Sequence, residues 1–346
     1  MAALHLARSG FNVQIFARDL QQRPRIAETL SPEGRRELTL AGLWDRIPAG
    51  VVAPCPAVVT AWQRAEATWS SFITNPYGCA WHVDRGRFDA WLVSEAEAAG
   101  ASLQSGTVTS IRRTDGYWKF HARQADGAAY AATSNFLVIA TGRCGFAANL
   151  GVRERIDALC LIGGFAKSAP NADDSLLVEA VPNGWWYSAP AANGRMFTAW
   201  VTDSTAIVNK GGGEILSTAL QHAPLTRARF LDLPATFSVG VVSSALKACA
   251  GEGWIAIGDA MLARDPLSGE GLACALRSAR DATGTILKAQ EGNSSVWRAA
   301  SIEGVAAIAQ YVKLRNAVYT TARNRWPAEP FWIRRLVPMH NYWTKI

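Results

Sequence analysis

Two short segments near residue 260 combine the residue types needed to hold a polar ligand. The sequence GDA at 258–260 follows an apolar run at 254–257, and the sequence DPLSGEG at 265–271 stands just before a stretch with helical apolar spacing. This order predicts a short strand, a tight turn, and then a helix from about Ala273 to about Lys288.

Each residue type in these segments has a chemical use. Gly258 lets the backbone approach a ligand, and Asp259 leaves the strand end with a carboxylate that can accept hydrogen bonds from hydroxyl groups. Pro266, Gly269 and Gly271 would form a turn that directs N–H groups and a helix N-terminus at the ligand, which favours negative charge. The arrangement suits a flavin, with Asp259 on a ribityl hydroxyl and the helix start stabilising charge on the reduced ring. A strand, turn and helix with a purely structural role is the alternative.

The N-terminal residues are typical of the second half of a βαβ unit. Residues 2–9 predict a helix that Gly10 ends, and residues 11–16 predict a buried strand. The sequence does not contain the first strand and the G-x-G-x-x-G turn of a dinucleotide-binding unit, and Ala17 stands where a ribose-binding acid is usual, with Asp19 two residues later. We expect that the gene start has been placed too far downstream; weak cofactor binding is the alternative.

Two further positions could contact an anionic ligand. A helix is predicted from its N-cap Asp84 to about Ala99, and Arg85 stands in its first turn, where a cation opposes the helix dipole unless an anion neutralises it. Arg85 is therefore either solvated or part of a phosphate or carboxylate clamp. Residues 135–140 predict a buried strand that ends near Gly142, and a parallel strand ending in glycine is where a doubly wound sheet admits a ligand.

The composition excludes several classes of protein. Of the 346 residues 49% are hydrophobic and 18% charged, which suits a large core and rules out a disordered chain. The net charge of +7 is scattered, so we expect no nucleic-acid partner, and no apolar run is long enough for a transmembrane segment. The six cysteines include no C-x-x-C pair, which argues against a metal site or a disulfide framework. With no secretory signal at the N-terminus, we expect reduced thiols in a cytoplasmic protein.

The middle of the chain predicts a second domain. Residues 155–245 contain many short apolar runs separated by Asn-Gly and Pro turns, which predict a mostly antiparallel β-sheet. We therefore expect an α/β protein with a doubly wound ligand-binding domain and an α+β substrate domain. The predicted division assigns residues 1–50, 80–150 and 245–295 to the ligand-binding domain, residues 51–79 and 151–244 to the substrate-domain sheet, and residues 296–346 to a C-terminal helical and aromatic tail.

The chain is rich in large aromatic residues and contains 14 tryptophans. Trp185, Trp186 and Tyr187 could line the substrate side of a ligand site, and core strand residues are the equal alternative. The basic and aromatic tail at 326–343 could contact a partner or a membrane surface, but we expect it to pack on the body of the protein.

In combination, these motifs resemble one family of flavoproteins. The sequences at 258–260 and 265–271 look like the second FAD motif of the p-hydroxybenzoate-hydroxylase fold. The N-terminal half-unit, VDRGRFD at 83–89 and ATGR at 140–143 occur in the order of that fold. The segments GWWYSAP at 184–190, RWP at 325–327 and FWIRR at 331–335 are similar to the LodB/QhpG-like branch, which is related to flavin-dependent tryptophan halogenases. The resemblance extends over nearly the whole chain.

The resemblance implies an FAD-dependent monooxygenase that oxidises an aromatic ring. Some members of this branch hydroxylate tryptophan in a partner protein to make a tryptophylquinone, which implies a tryptophan-like substrate, free or peptidyl, and a role in quinone-cofactor maturation. No catalytic residue is assigned and no metal is expected. The residues implied in FAD binding are Arg85, Gly142, Gly258, Asp259, Pro266, Gly269 and Gly271.

Two other functions stay open. Halogenases carry a W-x-W-x-I-P segment and a catalytic lysine, whereas this chain has WWYSAP at 185–190 and a lysine that cannot be placed, so halogenation is the second choice. A non-catalytic remnant that binds a partner is the alternative from another class. No second glycine-rich βαβ unit for NAD(P)H is visible, so the electrons would come from a separate flavin reductase or from transient contact with NAD(P)H.

Overall fold

The computed structural model describes residues 1–18, 27–143, 150–191, 194–207, 212–234 and 236–336. The helices in this part of the chain are α1 (Ala2–Arg8), α2 (Pro32–Leu40), α3 (Arg85–Ala98), α4 (Gly212–Leu220), α5 (Pro224–Arg227), α6 (Gly271–Gln290), α7 (Val296–Arg323) and α8 (Pro330–Ile333).

The strands are short and fall into five sheets. Their bounds are β1 (Gln14–Ala17), β2 (Glu28–Leu30), β3 (Val52–Cys55), β4 (Ala57–Ala61), β5 (Thr68–Ser71), β6 (Ala80–Val83), β7 (Ser102–Thr114), β8 (Tyr117–Gln124), β9 (Ala129–Ser134), β10 (Leu137–Ile139), β11 (Arg153–Arg155), β12 (Leu159–Lys167), β13 (Leu176–Val181), β14 (Gly184–Ala191), β15 (Arg195–Asp203), β16 (Phe237–Gly240), β17 (Ser244–Leu246), β18 (Ala250–Gly251), β19 (Trp254–Ala256) and β20 (Leu262–Ala263).

Parallel strand pairs form the part of the molecule that carries the predicted ligand site. β1 pairs with β7, with Gln14 opposite Ser102, and β10 pairs with β19, with Leu137 opposite Trp254. Helices α1, α3 and α6 pack together through a buried cluster that includes Leu4, Phe88 and Leu272. These parallel pairs covered by helices confirm the predicted α/β class, since parallel strands need long helical crossovers.

A seven-stranded sheet forms the other large unit, in the order β16-β12-β15-β14-β13-β4-β5. Every pairing in it is antiparallel except that of β4 with β13. Because side chains alternate along a strand, the sheet has two different faces. Trp185 lies in a buried cluster with Tyr319 of α7, whereas Trp186 lies in a cluster with Leu216 of α4.

The C-terminal helices cover the face of this sheet that carries Trp185. Tyr319 and Trp332 are fully buried there, and the indole rings of Trp326 and Trp332 stack with centroids 5.4 Å apart. The tail therefore packs on the body of the protein up to residue 336, while Trp343 lies outside the described residues. None of the helices described combines the length and apolar composition required to cross a membrane.

Local element boundaries match the sequence patterns closely. Asp84 precedes α3 as predicted, and its carboxylate accepts a hydrogen bond from the Arg87 N–H. Ser31 precedes α2. β1 begins three residues later than expected and ends at Ala17. Helix α6 begins two residues earlier than expected, at Gly271, so that this glycine belongs to its first turn. Asp19, considered as a substitute ribose ligand, lies outside the described residues.

Candidate functional site

The segments at 140–143 and 258–260, both predicted to contact a ligand, follow the ends of adjacent parallel strands. Residues 140–143 leave β10 and residues 258–260 leave β19, and the Ile257 N–H donates to the Ile139 carbonyl between them. The carboxyl ends of parallel strands are where open α/β sheets bind ligands. The structure thus brings Gly142 and Asp259, which are more than a hundred residues apart in sequence, to one edge of one sheet.

Gly258 adopts a left-handed backbone, with a φ angle of +54°. A Cβ atom at this position would lie 3.3 Å from the Cβ of Ala275 in α6, so the glycine allows strand and helix to approach. The Gly258 N–H donates to Ser278 in the same helix. The contact that requires glycine here is therefore made by the protein itself, whereas the sequence had suggested close approach to a ligand.

The Asp259 carboxylate is about 30% exposed and forms an ion pair with Arg143, with Nε 3.2 Å from Oδ2. The same guanidinium donates to the carbonyls of Val242 and Arg264, at 3.0 and 2.6 Å. Arg143 thereby connects the segment at 140–143 to Asp259 and to the backbone at Val242 and Arg264. It was quoted in the sequence motif but was not among the predicted ligands, because its partners are distant in sequence. Asp259 retains accessible surface for accepting a further hydrogen bond.

The turn at 265–271 has the open shape that a flat ligand requires. Residues Pro266–Ser268 form a 3-10 turn, and Gly269 follows with a φ angle of +61°. A Cβ atom added at Gly269, Gly271 or Gly142 would meet no atom within 4 Å. No side chain caps α6 at Glu270, so its first N–H groups remain available at a positive helix end.

Glu270, which the sequence reasoning left out, adds a carboxyl group to this turn. Its Oε2 lies 3.5 Å from the hydroxyl of Ser31, the N-cap residue of α2. Burial raises the pKa of Glu270, and the nearby Glu33 carboxylate adds to the rise. In the sequence, the only feature that marked Glu270 as part of the site was its position between Gly269 and Gly271.

Arg85 has a different environment from the one a phosphate clamp requires. Its guanidinium pairs with Glu28 at 2.6 Å and with Asp89 at 2.9 Å, so two carboxylates already balance its charge. The pair with Glu28 connects α3 to β2, and the pair with Asp89 lies within α3. The ion pairs of Arg85 therefore join it to those two acids, while a contact with FAD remains a prediction.

The predicted aromatic wall is divided between two faces of the sheet. Trp185 and Trp186 are both fully buried, and Trp186 packs beneath α4 on the face away from the turn. Tyr187 is half-buried and lies on the face of Trp185, where its hydroxyl donates to the Ala27 carbonyl at 2.9 Å. The structure thus groups Trp185 with Tyr187 and leaves Trp186 apart.

Three half-buried aromatic residues give this face an accessible apolar surface. Phe165, Tyr187 and Phe237 surround the buried ring of Phe197, with centroid distances of 5.2 to 6.3 Å. Leu267, from the turn at 265–271, packs against the same cluster. The turn and the aromatic face are therefore neighbours, as a cofactor and a substrate site would be.

A buried charge cluster lies behind the turn. Arg315 of α7 reaches the carboxylates of Asp157 and Asp265 at 3.0 and 3.6 Å, and all three side chains are about 2% exposed. Burial raises the pKa of Asp265, the Arg315 guanidinium opposes the rise, and Asp157 adds to it. Burial also raises the pKa of Tyr319, whose hydroxyl contacts Asp265. Sequence reasoning missed this cluster because its members lie on three separate segments.

Comparison with known proteins identifies relatives of this chain, although no family model matches it. The chain is 24% identical over 284 residues to LodB of Marinomonas mediterranea, described as an FAD-dependent oxidoreductase; the alignment covers 77% of this chain and 73% of LodB. It is 25% identical to a tryptophan 2-halogenase of Chondromyces crocatus, covering 80% of this chain but 57% of the halogenase.

Solved structures agree with these sequence relatives. The flavin-dependent halogenase CmlS superposes on 97% of this chain with a TM-score of 0.88 and 22% identity, and the chain covers 65% of CmlS. QhpG, a peptidyl tryptophan dihydroxylase essential for tryptophylquinone cofactor biogenesis, superposes on 96% of this chain with a TM-score of 0.75 and 23% identity, covering 75% of QhpG. The chain therefore has the fold of the flavin-dependent halogenases and is related to FAD-dependent oxidoreductases.

Proposed function

We propose that this protein is an FAD-dependent monooxygenase that transfers an oxygen atom to a tryptophan-like ring, free or within a peptide, during quinone-cofactor maturation. The observation that carries the proposal is the convergence of Asp259, the open glycine turn at 265–271 and the aromatic face around Tyr187. The relationship to LodB and the fold shared with QhpG support the same conclusion.

The residues of the site fit a flavin. Asp259 offers a hydrogen-bond acceptor to ribityl hydroxyls, and the uncapped start of α6 offers N–H donors and positive potential to the ring. The Thr141 hydroxyl, next to Gly142, is buried without a hydrogen-bond partner among the described residues, as is expected of a group that faces a ligand. When bound, reduced FAD supplies the electrons and the activation of O2.

The other residues orient the substrate and exclude water. Phe165, Tyr187 and Phe237 offer flat apolar surface on which an electron-rich ring can pack edge-to-face or offset. Leu267 of the turn packs against the buried cluster to which this surface belongs. Holding the ring close to the flavin in a water-poor site raises the probability of transfer over loss of the activated oxygen.

The lysines and the strand β14 favour hydroxylation over halogenation. All five lysines that the structure describes are exposed, so within these residues no lysine stands enclosed between the turn and the sheet. Measured against W-x-W-x-I-P, the segment at 185–190 keeps Trp185 and Pro190 but has Tyr187 and Ala189 at the other two positions. The segment is thus altered at two of its four defined positions, and none of the lysines within the described ranges is enclosed.

The decisive assay measures what is added to the substrate. The protein is supplied with FAD, NADH, a separate flavin reductase, O2 and tryptophan-containing peptides, in parallel with free tryptophan, with and without chloride or bromide. We expect mass spectrometry to detect the gain of oxygen atoms irrespective of halide. Replacement of a ring hydrogen by halogen would contradict the proposal in favour of a halogenase, and a protein that stays colourless with excess FAD would refute both activities. Omitting the reductase determines whether NADH donates directly.

A further inference from the structure

One face of α7 contacts the predicted cofactor turn through three residues spaced four apart. Tyr311, Arg315 and Tyr319 stand on the same side of the helix, and each has an atom within 4 Å of Asp265. Asp265 begins the turn, so the position of the turn depends on a helix that is distant in sequence.

Within the turn, the N–H groups of Ser268, Gly269 and Glu270 donate to the Asp265 carbonyl, the Pro266 carbonyl and the Ser268 hydroxyl. The Asp265 Oδ1 accepts a hydrogen bond from the Leu267 N–H at 3.0 Å, Pro266 has no N–H to donate, and Gly269 stands in open space. The Asp265 side chain is thus the group through which α7 acts on the turn, and its orientation contributes to the shape of residues 265–267. A change in that orientation would shift the turn and the uncapped N–H groups at the start of α6 that follows it.

The Tyr319 hydroxyl holds the Asp265 carboxylate and is itself held by Trp185. This hydroxyl donates to Asp265 Oδ2 at 2.6 Å and accepts from the indole N–H of Trp185 at 3.2 Å. A tyrosine hydroxyl has one proton, so accepting from Trp185 leaves that proton for Asp265. Tyr311 completes the arrangement, since its hydroxyl accepts from the Asp265 N–H at 2.7 Å.

We propose that Tyr319 is a positioning residue that connects the substrate sheet, through Trp185, to the cofactor turn, through Asp265. It touches neither cofactor nor substrate and acts by holding the turn, and with it the uncapped start of α6 at Gly271, in place. The proposal deepens the proposed function because it rests on the flavin lying against this turn.

The test compares two isosteric removals of a single buried hydroxyl. Tyr319→Phe deletes the link to Asp265, and Thr202→Val deletes a buried hydroxyl that donates to the Asn183 carbonyl at 2.7 Å on the same sheet. Amide hydrogen exchange of the peptide at 264–272 is measured without FAD, together with the melting temperature, and the FAD dissociation constant is measured by quenching of flavin fluorescence.

We expect Tyr319→Phe to accelerate exchange at 264–272 by about tenfold and to weaken FAD binding by about tenfold. Thr202→Val should lower the melting temperature without either effect. Tyr319→Phe behaving like Thr202→Val would overturn the proposal. Faster local exchange in a protein that binds no FAD would retain the positioning role and refute the flavin function instead. Should Tyr319→Phe fail to fold, Tyr311→Phe removes the acceptor for the Asp265 N–H and is judged by the same two measurements.

Discussion

Replacing Asp259 by alanine separates a ligand-binding role from a structural one, because the two roles predict effects of different size. The change removes the acceptor for ribityl hydroxyls and also breaks the ion pair with Arg143. Both side chains are about one-third exposed, and pairs of this kind contribute about 0–1 kcal/mol to stability. Arg143 keeps its backbone acceptors, including Val242 and Arg264. Without FAD, the melting temperature should therefore fall by less than about 4 °C.

The effect on flavin binding should be much larger. A hydrogen bond to a charged group contributes about 1.5–3 kcal/mol, so its loss should weaken FAD binding between about 10- and 150-fold. The affinity is measured by titrating FAD into the protein and following the quenching of its fluorescence, and the stability is measured on the same samples without FAD.

Glu252→Ala provides the matched control for this prediction. Glu252 pairs with Arg113 at 2.7 Å on the surface, and its side chain is 75% exposed. Glu252 lies in the turn between β18 and β19, at the opposite end of β19 from Asp259, so its removal deletes a comparable ion pair away from the strand end and should leave the FAD dissociation constant unchanged. If Asp259→Ala changes the dissociation constant of a flavin-binding wild type by less than twofold, the carboxylate does not contact the cofactor and the reasoning fails.

Two further changes test the electrostatics behind and within the turn. Arg315→Met leaves the buried Asp157 and Asp265 carboxylates without their cation, so we expect the free energy of unfolding, measured by urea denaturation, to fall by about 3–5 kcal/mol. The loss should shrink as the pH is lowered, because burial raises the pKa of Asp265 and protonation of that carboxyl relieves the unpaired charge; a loss under about 1 kcal/mol at pH 7 would be inconsistent with the buried pair. Glu270→Gln should raise the melting temperature at pH 7–8, because the folded state raises the pKa of this carboxyl and the wild type loses stability as the pH rises from the unfolded-state pKa through the raised folded-state pKa. Below about pH 4 the carboxyl is protonated in both states and the gain should vanish; a gain that is independent of pH would show that charge is not its cause.

Local features of the site were predictable from the sequence because they depend on neighbouring residues. The strand before Gly258, the turn at 265–271 and helix α6 follow directly from apolar spacing, proline and glycine. The antiparallel character of the large sheet followed in the same way from its turn residues. The parallel pairing of β10 with β19 then places Asp259 beside Gly142, as the end of a parallel strand predicts.

Trp186 is a case in which the sequence contained a signal that was not used. Adjacent residues of a strand point to opposite faces, so Trp185 and Trp186 could not both line one pocket once β14 was predicted as a strand. The alternation leaves Trp185 and Tyr187 on one side. Which side faces the ligand depends on the packing of α7 and α4, which strand patterning does not determine.

The partners of charged residues were not predictable, since they join segments that are distant in sequence. Arg85 at the start of α3 meets Glu28 on β2, and Arg315 on α7 meets Asp157 before β12. The spacing of Tyr311, Arg315 and Tyr319 predicts that they share one helix face. It does not indicate that the face meets Asp265, because that contact arises only when the sheet, the turn and α7 pack together.

The most direct test of the flavin site is a crystal structure of this protein with FAD. We predict that a ribityl hydroxyl lies within hydrogen-bonding distance of the Asp259 carboxylate and that the isoalloxazine ring lies against residues 269–271 at the start of α6. A structure in which FAD occupies another surface, or in which side chains fill the space between Asp259 and this turn, would contradict the assignment.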